Sequence, residues 1–415
     1  MKRVILYTLV RQGTFPHPGR GEFFDLTLFK YSNLNVVRPF HLSVSDEILE
    51  HIRSRVADYP WHRMANLEGW EPGANLDYMR ELCSYWVDEF DWRAEEAAIN
   101  QFSHFLAPVD GIDVHFIHEK GSGSTPMPLV ISHGWPGSVI EFLDFIEPLA
   151  HPERFGGNSA DAFTVIAPSL PGFGFSGKPD RPIGPRRMAG IFNELMTDVL
   201  GYDDYLAQGG DWGGAISSWL GYDHAPACRA IHINIMTMRH PDGPVGSEEH
   251  AWAARFKREQ IMENGYRTQQ ATKPQTLSYA MMDSPVGVAA WIIEKFNSWS
   301  DTAGDDIESV HSKDALLTNI MVYLVTDTFN TASWIYYGRR EEGGRVLSRE
   351  GRRVEVPTGC ALFPAELLSW PPRSYVERVY NVTHWTEMPR GGHFAAMERA
   401  DLLLEDIRAF AHLIR

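Results

Sequence analysis

The stretch QGGDWGG, residues 208–214, decides the fold of this 415-residue chain. It follows the apolar run 205–207 and precedes a helical pattern over 215–221, so it predicts a strand, a sharp glycine-flanked turn and a helix. Asp211 stands at the tip of that turn. A serine at such a tip gives an acyl-enzyme, whereas a carboxylate attacks saturated carbon and gives an alkyl ester of the protein. Taken alone, the Gly-x-Asp-x-Gly pattern fits a tight turn with a helix N-cap equally well.

A second motif, HGWPG at residues 133–137, follows the apolar run 128–132. We expect the backbone N–H groups of Trp135 and Trp212 to converge on one developing oxyanion. Donors of this kind are each worth roughly 3–4 kcal/mol when removed. The remaining motif residues, which we expect to support the loop rather than react, are His133, Gly134 and Pro136.

A third motif, GGHF at residues 391–394, follows a strand-like run over 376–388. In the α/β-hydrolase fold the nucleophile comes first in the chain, the acid second and the base last. His393 has the position of the base in that order, so the sequence predicts it as the general base.

The acid of the same order needs a carboxylate shortly after the preceding strand. Residues 359–364 form a predicted strand with its turn, and Glu366 follows directly. Asp401 and Glu405 lie beyond the histidine on an amphipathic terminal helix, which is typical of a solvated surface. Glu366 is therefore the predicted acid.

With these motifs the chain resembles the microsomal-type epoxide hydrolases, which include juvenile-hormone epoxide hydrolases and related bacterial and fungal enzymes. The resemblance runs from about residue 36 to the C-terminus. It also covers segments without a catalytic logic of their own, namely RPF at 38–40, LDY at 76–78, DWR at 91–93, TKP at 272–274, DSPVG at 283–287 and EKF at 294–296.

The resemblance implies a pair of tyrosines that stabilise the departing epoxide oxygen. A tyrosine suits this role because its pKa near 10 keeps it protonated at neutral pH. Tyr266 and Tyr337 occupy the matching positions, while Tyr336 stays open as the alternative because a shift of one residue would exchange it with Tyr337. The implied reaction forms an ester on Asp211, which water activated by His393 then hydrolyses.

The predicted fold class is α/β, with an α/β-hydrolase core. Short apolar runs that alternate with helices favour a mostly parallel sheet with helices on both faces. We predict four regions. They are an N-terminal extension of unknown role over 1–35, an N-terminal helical segment over 36–105, a core over 106–235 and 345–415, and a helical cap over 236–344 inserted before the acid-bearing strand.

The amino-acid composition of the chain limits the classes of molecule that it is expected to bind. A net charge of −16 without a basic stripe argues against nucleic acid and anionic membranes. The three cysteines are scattered, which predicts reduced thiols in the cytoplasm. No run reaches the roughly 18–20 apolar residues of a membrane span, and no motif indicates a metal or organic cofactor. The expected partners are a small hydrophobic epoxide and water; the oligomeric state is open, with a homodimer as one arrangement.

Two other functions use the same motifs. A haloalkane dehalogenase shares the elbow aspartate and a following tryptophan, but it has no use for paired cap tyrosines. A non-catalytic α/β-hydrolase scaffold that acts in binding has no reason to retain Asp211, Glu366 and His393 together. Halide release measured against epoxide turnover separates the first alternative from an epoxide hydrolase.

Overall fold

A nine-stranded sheet lies at the centre of the computed structural model, which describes residues 37–304, 306–347 and 353–415. The sheet order is β1-β2-β3-β5-β4-β6-β7-β8-β9. The strands are β1 (Arg38–Pro39), β2 (His104–Val109), β3 (Ile112–Glu119), β4 (Met127–Ser132), β5 (Phe163–Pro168), β6 (Tyr205–Gly209), β7 (Cys228–Ile233), β8 (Val354–Leu362) and β9 (Tyr380–Glu387).

The six strands from β5 to β9 in this order are parallel, and β1, β2 and β3 add an antiparallel edge. Every residue of β5 and β6 is buried, as expected where helices cover both faces of a parallel sheet. The predicted mostly parallel sheet is confirmed. The antiparallel edge was not foreseen from the sequence.

Fifteen α-helices accompany the sheet within the described ranges. They are α1 (Asp46–Ala57), α2 (Leu76–Asp88), α3 (Trp92–Ile99), α4 (Leu143–Ala150), α5 (Pro185–Glu194), α6 (Asp211–Asp223), α7 (Gly246–Glu263), α8 (Gly265–Thr272), α9 (Pro274–Met281), α10 (Pro285–Trp299), α11 (Lys313–Val325), α12 (Phe329–Glu341), α13 (Arg373–Val379), α14 (Ala395–Glu398) and α15 (Ala400–His412). The run 376–388, predicted as one strand, begins as the end of α13 and becomes β9 only at Tyr380.

Helices α7 to α12 follow one another between β7 and β8 without an intervening strand, and we call them the cap. Helix α10 begins at Pro285, where the Ser284 hydroxyl accepts a hydrogen bond from the Gly287 N–H at 3.0 Å. Such a cap satisfies one of the N–H groups that a helix start leaves unpaired. This insertion places the cap at the carboxyl ends of the parallel strands, where Tyr266 and Tyr336 line a cavity with Asp211.

The helices before β2 hold the cap from the side. Arg55 on α1 forms an ion pair with Asp283 at 2.9 Å, and the Tyr85 hydroxyl on α2 donates to Asp314 at 2.9 Å. These contacts join segments more than 200 residues apart in the chain. Residues 37–105 therefore contribute β1 to the sheet edge and contact the cap.

The described residues belong to one compact unit, and the predicted extension over 1–35 lies outside them. Within the described part of the chain, every helix is too short or too polar to cross a bilayer.

Candidate active site

Asp211 lies at the turn between β6 and α6 with a positive φ of 45°, a conformation that costs energy for a non-glycine residue. The glycines around it allow the close approach of neighbouring strands. A Cβ at Gly213 would lie 1.8 Å from the Ser132 carbonyl oxygen on β4, so a side chain there is excluded. The turn thus presents the Asp211 carboxylate, 21% exposed, at the carboxyl end of the sheet.

The HGWPG loop follows the neighbouring strand β4 and contacts the aspartate directly. The Trp135 N–H donates to Asp211 Oδ1 at 2.7 Å. Gly134 permits this approach, because a Cβ on it would lie 2.1 Å from the same oxygen. One carboxylate oxygen is therefore held by a backbone donor, and Oδ2 is left for chemistry.

The other predicted loop residues have placements that fit a supporting role. The buried His133 ring contacts the Gly134 carbonyl at 3.0 Å through Nδ1, and its Nε2 accepts from the Leu170 N–H at 3.1 Å. Burial lowers the pKa of His133 to about 4, which keeps it neutral. Trp212 is the second residue of α6, where helix N–H groups have no intrahelical acceptor. Its part in an oxyanion hole stays a prediction, and Pro136 continues the loop by accepting from Asn319 at 2.9 Å through its carbonyl.

His393 and Glu366 are both brought to Asp211, from the loops that follow β9 and β8. His393 Nδ1 lies 2.8 Å from Glu366 Oε1, and His393 Nε2 lies 3.5 Å from Asp211 Oδ2. The side chains of the histidine and the glutamate are each only 1% exposed. The structure therefore assembles the three residues in the order carboxylate, imidazole, carboxylate.

Burial acts to lower the pKa of His393, but the carboxylates of Glu366 and Asp211 outweigh it and raise the pKa well above its usual value. The charged imidazole is thus stabilised by the negative charge of both carboxylates. Nε2 is buried and has no hydrogen-bond partner among the described residues. That atom is consequently available to a water molecule that lies beside it and Asp211.

Two cap tyrosines face the aspartate, and they are Tyr266 and Tyr336. The Tyr266 ring stacks on Trp135 at 5.0 Å, and the Tyr336 ring meets Trp212 edge-on at 4.6 Å. Burial raises the pKa of both hydroxyls, and so does the nearby Asp211 carboxylate. Both phenols therefore stay protonated at neutral pH.

Tyr337, the position matched from the resemblance, does not face this site. Its ring is half-buried, and the Arg340 guanidinium lies over it, 4.8 Å from the ring centre. Consecutive residues of a helix point about 100° apart, so only one of the adjacent tyrosines on α12 can face Asp211. Tyr336 lines the cavity with Asp211, so the geometry favours this alternative, which the sequence left open, over Tyr337, and its catalytic role stays a prediction.

Glu141 is a site residue that the sequence did not single out. It lines a cavity behind Asp211, of about 360 Å³ with its opening, together with His393 and Trp135. Burial raises the pKa of Glu141 to about 8, with a further contribution from Asp211 and an opposing one from His393. Its Oε1 lies 1.6 Å from where a Cβ on Gly137 would be, so glycine at 137 makes room for it.

This raised pKa predicts a change of stability with pH. Between its ordinary pKa of 4.5 and about 8, the folded enzyme keeps a proton on Glu141 that the unfolded chain releases, so wild-type stability falls as pH rises through this window. Glu141→Gln cannot titrate and is expected to lose less stability from pH 5.5 to 8, by up to a few kcal/mol. Urea unfolding at both pH values measures the difference. Glu147→Gln, at a half-exposed carboxylate on α4, is the matched control, and parallel pH profiles for wild type and Glu141→Gln would contradict the assignment.

A second cavity at Asp211 lies on the side of the cap and measures about 480 Å³ including its open mouth. Besides Asp211 and the two tyrosines, it is lined by three arginines, Arg267, Arg339 and Arg345. Substrate pockets are ordinarily mostly apolar. Trp212, Ile235, Leu367 and Leu368 supply apolar lining as well, so the expectation of a small hydrophobic epoxide stays a prediction, to which the arginines of the cap and of the segment after it add a charged contact.

Over 37–304, 306–347 and 353–415, no cluster of three or more His, Cys, Asp or Glu side chains is arranged to hold a metal ion. The groups that converge on the Asp211 carboxylate are two phenols, an imidazole with its carboxylate partner, and the Trp135 N–H. Together with that carboxylate, they can supply a nucleophile, proton donors and a general base.

Comparison with known proteins gives relatives along almost the whole chain. Residues 37–142 match the family model of the epoxide hydrolase N terminus, and residues 127–300 match that of the α/β-hydrolase fold. A putative epoxide hydrolase of Stigmatella aurantiaca is 38% identical over 90% of this chain and 84% of its own length. Epoxide hydrolase 1 of Sus scrofa is 33% identical over 91% of this chain and 89% of its own length.

Solved structures agree with these relatives. The crystal structure of juvenile hormone epoxide hydrolase from the silkworm Bombyx mori superposes with a TM-score of 0.81 and 27% identity, covering 92% of this chain and 95% of that one. Because relatives more than 30% identical align with most of both chains, the chain belongs to the epoxide hydrolase family of enzymes with the α/β-hydrolase fold.

Proposed function

We propose that this enzyme opens an epoxide to a vicinal diol through a covalent ester on Asp211. The observation that carries the proposal is the position of Asp211 between two protonated phenols of the cap and the buried His393–Glu366 pair. Membership of the epoxide hydrolase family supports the substrate class. The order of the groups around the carboxylate supports two successive half-reactions.

In the first half-reaction Asp211 Oδ2 attacks one epoxide carbon. The bond from Oδ2 to that carbon forms as the ring carbon–oxygen bond breaks. The departing oxygen takes a proton from Tyr266 or Tyr336 while the other phenol donates a hydrogen bond. Oδ1 stays on the Trp135 N–H and becomes the carbonyl oxygen of the hydroxyalkyl ester. Positioned acids of this kind contribute about 10²- to 10⁴-fold to the rate.

In the second half-reaction His393 Nε2 removes a proton from water, and the oxygen of that water attacks the ester carbon of Asp211. The oxyanion forms at Oδ1, where the Trp135 N–H already donates and the Trp212 N–H is the predicted second donor. Collapse breaks the bond between the ester carbon and Oδ2. The diol leaves with Oδ2 and the proton from His393, and the water oxygen remains on Asp211. The second proton of the water leaves the Asp211 carboxylic acid and returns through solvent to the phenolate, so that both residues regain their starting state.

The charges around His393 favour its action as a base in the second half-reaction and not in the first. In the free enzyme Glu366 and Asp211 both raise its pKa. Once Asp211 is esterified its negative charge is gone, and only Glu366 still acts in that direction while burial still opposes it. The pKa of His393 therefore falls in the ester, so that the imidazole becomes a base at the step that requires one.

The haloalkane dehalogenase alternative has less support from the cap. A halide leaving group would take hydrogen bonds from N–H donors and needs no proton. The cavity instead offers two phenols whose protons are retained at neutral pH, because burial and the nearby carboxylate both raise their pKa. Such groups suit a leaving oxygen that becomes a hydroxyl.

A single turnover in oxygen-18 water tests the covalent scheme. With enzyme in excess over a terminal epoxide, we expect unlabelled diol and one oxygen-18 atom in the peptide that contains Asp211. The reason is that the new diol oxygen comes from Oδ2, whereas the water oxygen stays on the protein. Mass spectrometry of the diol and of the peptide measures both. Label in the diol of the first turnover would mean direct attack by water and would overturn the ester mechanism.

A further inference from the structure

Three guanidinium groups gather on the cap side of the proposed active site, and we call Arg267, Arg339 and Arg345 the arginine cluster. All three line the cavity that contains Asp211. Burial lowers the pKa of Arg339 to about 10 and that of Arg345 well below its usual value, and each group is lowered further by its charged neighbours in the cluster. The cavity thus concentrates positive charge in a protein whose net charge is −16.

The arginine cluster has no ion-pair partner among the described carboxylates. The ring of Trp212 lies under the Arg339 guanidinium at 4.7 Å. Glu263 lines the same cavity, but it accepts from Trp299 Nε1 at 3.1 Å and lies 3.5 Å from Lys295 Nζ. All three arginines are half-buried, and partly burying like charges without partners is costly, so this arrangement points to an anion that completes it.

The backbone fixes one member of the arginine cluster in place. The Arg239 N–H donates to the Arg345 carbonyl at 2.9 Å, and the Leu347 N–H donates to the Arg239 carbonyl at 3.2 Å. The Arg239 guanidinium itself is held behind the cavity by the carbonyls of Met236 and Met238, at 3.0 and 2.9 Å. A short bridge between the segments after β7 and after α12 therefore positions Arg345 at the cavity wall.

We propose that the substrate carries a carboxylate that binds the arginine cluster, so that the enzyme acts on epoxides of short carboxylic acids. This inference rests on the proposed function. The planar guanidinium fork matches the two oxygens of a carboxylate, and the positive charge offsets the repulsion between an anionic substrate and Asp211. The cavity measures only about 480 Å³ even when its open mouth is included, which favours a compact chain.

The test compares matched acids and amides, because an amide keeps the shape and removes the charge. The probes are 3,4-epoxybutanoate, 4,5-epoxypentanoate and 5,6-epoxyhexanoate, each with its primary amide, and diol formation is measured for all six. For the acid of optimal length, kcat/KM is expected to exceed that of its amide by about 10- to 100-fold, the range of hydrogen bonds to charged groups. An amide used as well as its acid would overturn the carboxylate proposal and leave epoxide hydrolysis intact.

Single substitutions separate the arginine cluster from general charge effects. Arg345→Gln and Arg339→Gln are each expected to lower kcat/KM for the acid about tenfold or more, and that for the amide no more than about twofold. Arg340→Gln is the control, because Arg340 lies on the same helix, half-exposed over Tyr337, and should leave both values unchanged. Equal losses on acid and amide would make the arginines structural and would contradict the proposal.

Stability gives a readout that activity does not. Removing one of several unpaired like charges is expected to raise the urea midpoint of the ligand-free enzyme, whereas loss of a structural residue would lower it. Saturated hexanoate, but not hexanamide, is expected to raise the midpoint of wild type and not that of Arg345→Gln. If hexanoate binds in this way but neither acids nor amides are converted to diols, the proposed function fails and the cluster serves a different reaction.

Discussion

Replacing His393 by Gln is expected to stop the enzyme after one equivalent of epoxide, with steady-state turnover reduced at least about 10⁴-fold. Attack by an ionised Asp211 needs no base, whereas hydrolysis of the ester requires His393 to deprotonate water. The variant should therefore accumulate the hydroxyalkyl ester. Intact-protein mass spectrometry after mixing with epoxide detects the added mass, and peptide mapping assigns it to Asp211.

Two further variants define what this accumulation means. Asp211→Asn removes the nucleophile and should yield neither adduct nor diol. Glu366→Gln should be slower than wild type but not inactive, because the imidazole stays in place while the carboxylate that orients and charges it is lost. A folded His393→Gln protein that stays unmodified, under conditions where wild type turns over, would assign His393 to ring opening and contradict the division into half-reactions.

The sequence predicted the parts of the site that are encoded by short, contiguous motifs. At the elbow, Gly213 touches the strand next to it, so backbone sterics tie the residue type to the fold. Chain order then identified His393, and the position after a strand identified Glu366. The structure brings both to Asp211 at the carboxyl ends of β6, β8 and β9, which are parallel strands of one sheet, and loops at these ends share one edge of the sheet.

The residues that the sequence did not place belong to the cap and to the interior. Arginines on helices are typical of solvated surfaces. Arg267 and Arg339 face a shared cavity only because α8 packs against α12. Glu141 stands four residues after the HGWPG motif, and its burial depends on the fold of the following turn. These assignments need distances between segments that a single sequence does not contain.

The register of α12 was within reach of the sequence. Phe329, Ala332 and Tyr336 are buried at spacings of three and four residues, which is the period of one helix face. Tyr337 falls outside that face. The apolar period would therefore have selected Tyr336, whereas the resemblance alone selected its neighbour.

Tyr336→Phe is accordingly expected to slow ester formation about 10²-fold or more, while Tyr337→Phe stays within about twofold of wild type. Both changes remove one hydroxyl and keep the ring, so the pair differs only in which side of α12 is altered. Tyr266→Phe should slow ester formation to a similar extent. In the double variant of Tyr266 and Tyr336 the rate of ester formation should fall by roughly 10⁴-fold, the upper limit for positioned acid catalysis. Rapid-quench mass spectrometry of the Asp211 ester measures this step separately from hydrolysis.

The pattern among these variants distinguishes three explanations. If Tyr337→Phe slowed ester formation and Tyr336→Phe did not, the placement of α12 would be contradicted and the register implied by the resemblance would be restored. If neither Tyr266→Phe nor Tyr336→Phe slowed ester formation, the reason for preferring an epoxide oxygen as the leaving group would be gone. Halide release from haloalkanes would then be the next measurement. A loss confined to ester formation, with hydrolysis unchanged once the ester exists, would assign the phenols to ring opening, because they donate to the departing epoxide oxygen, whereas His393 activates the water that attacks the ester.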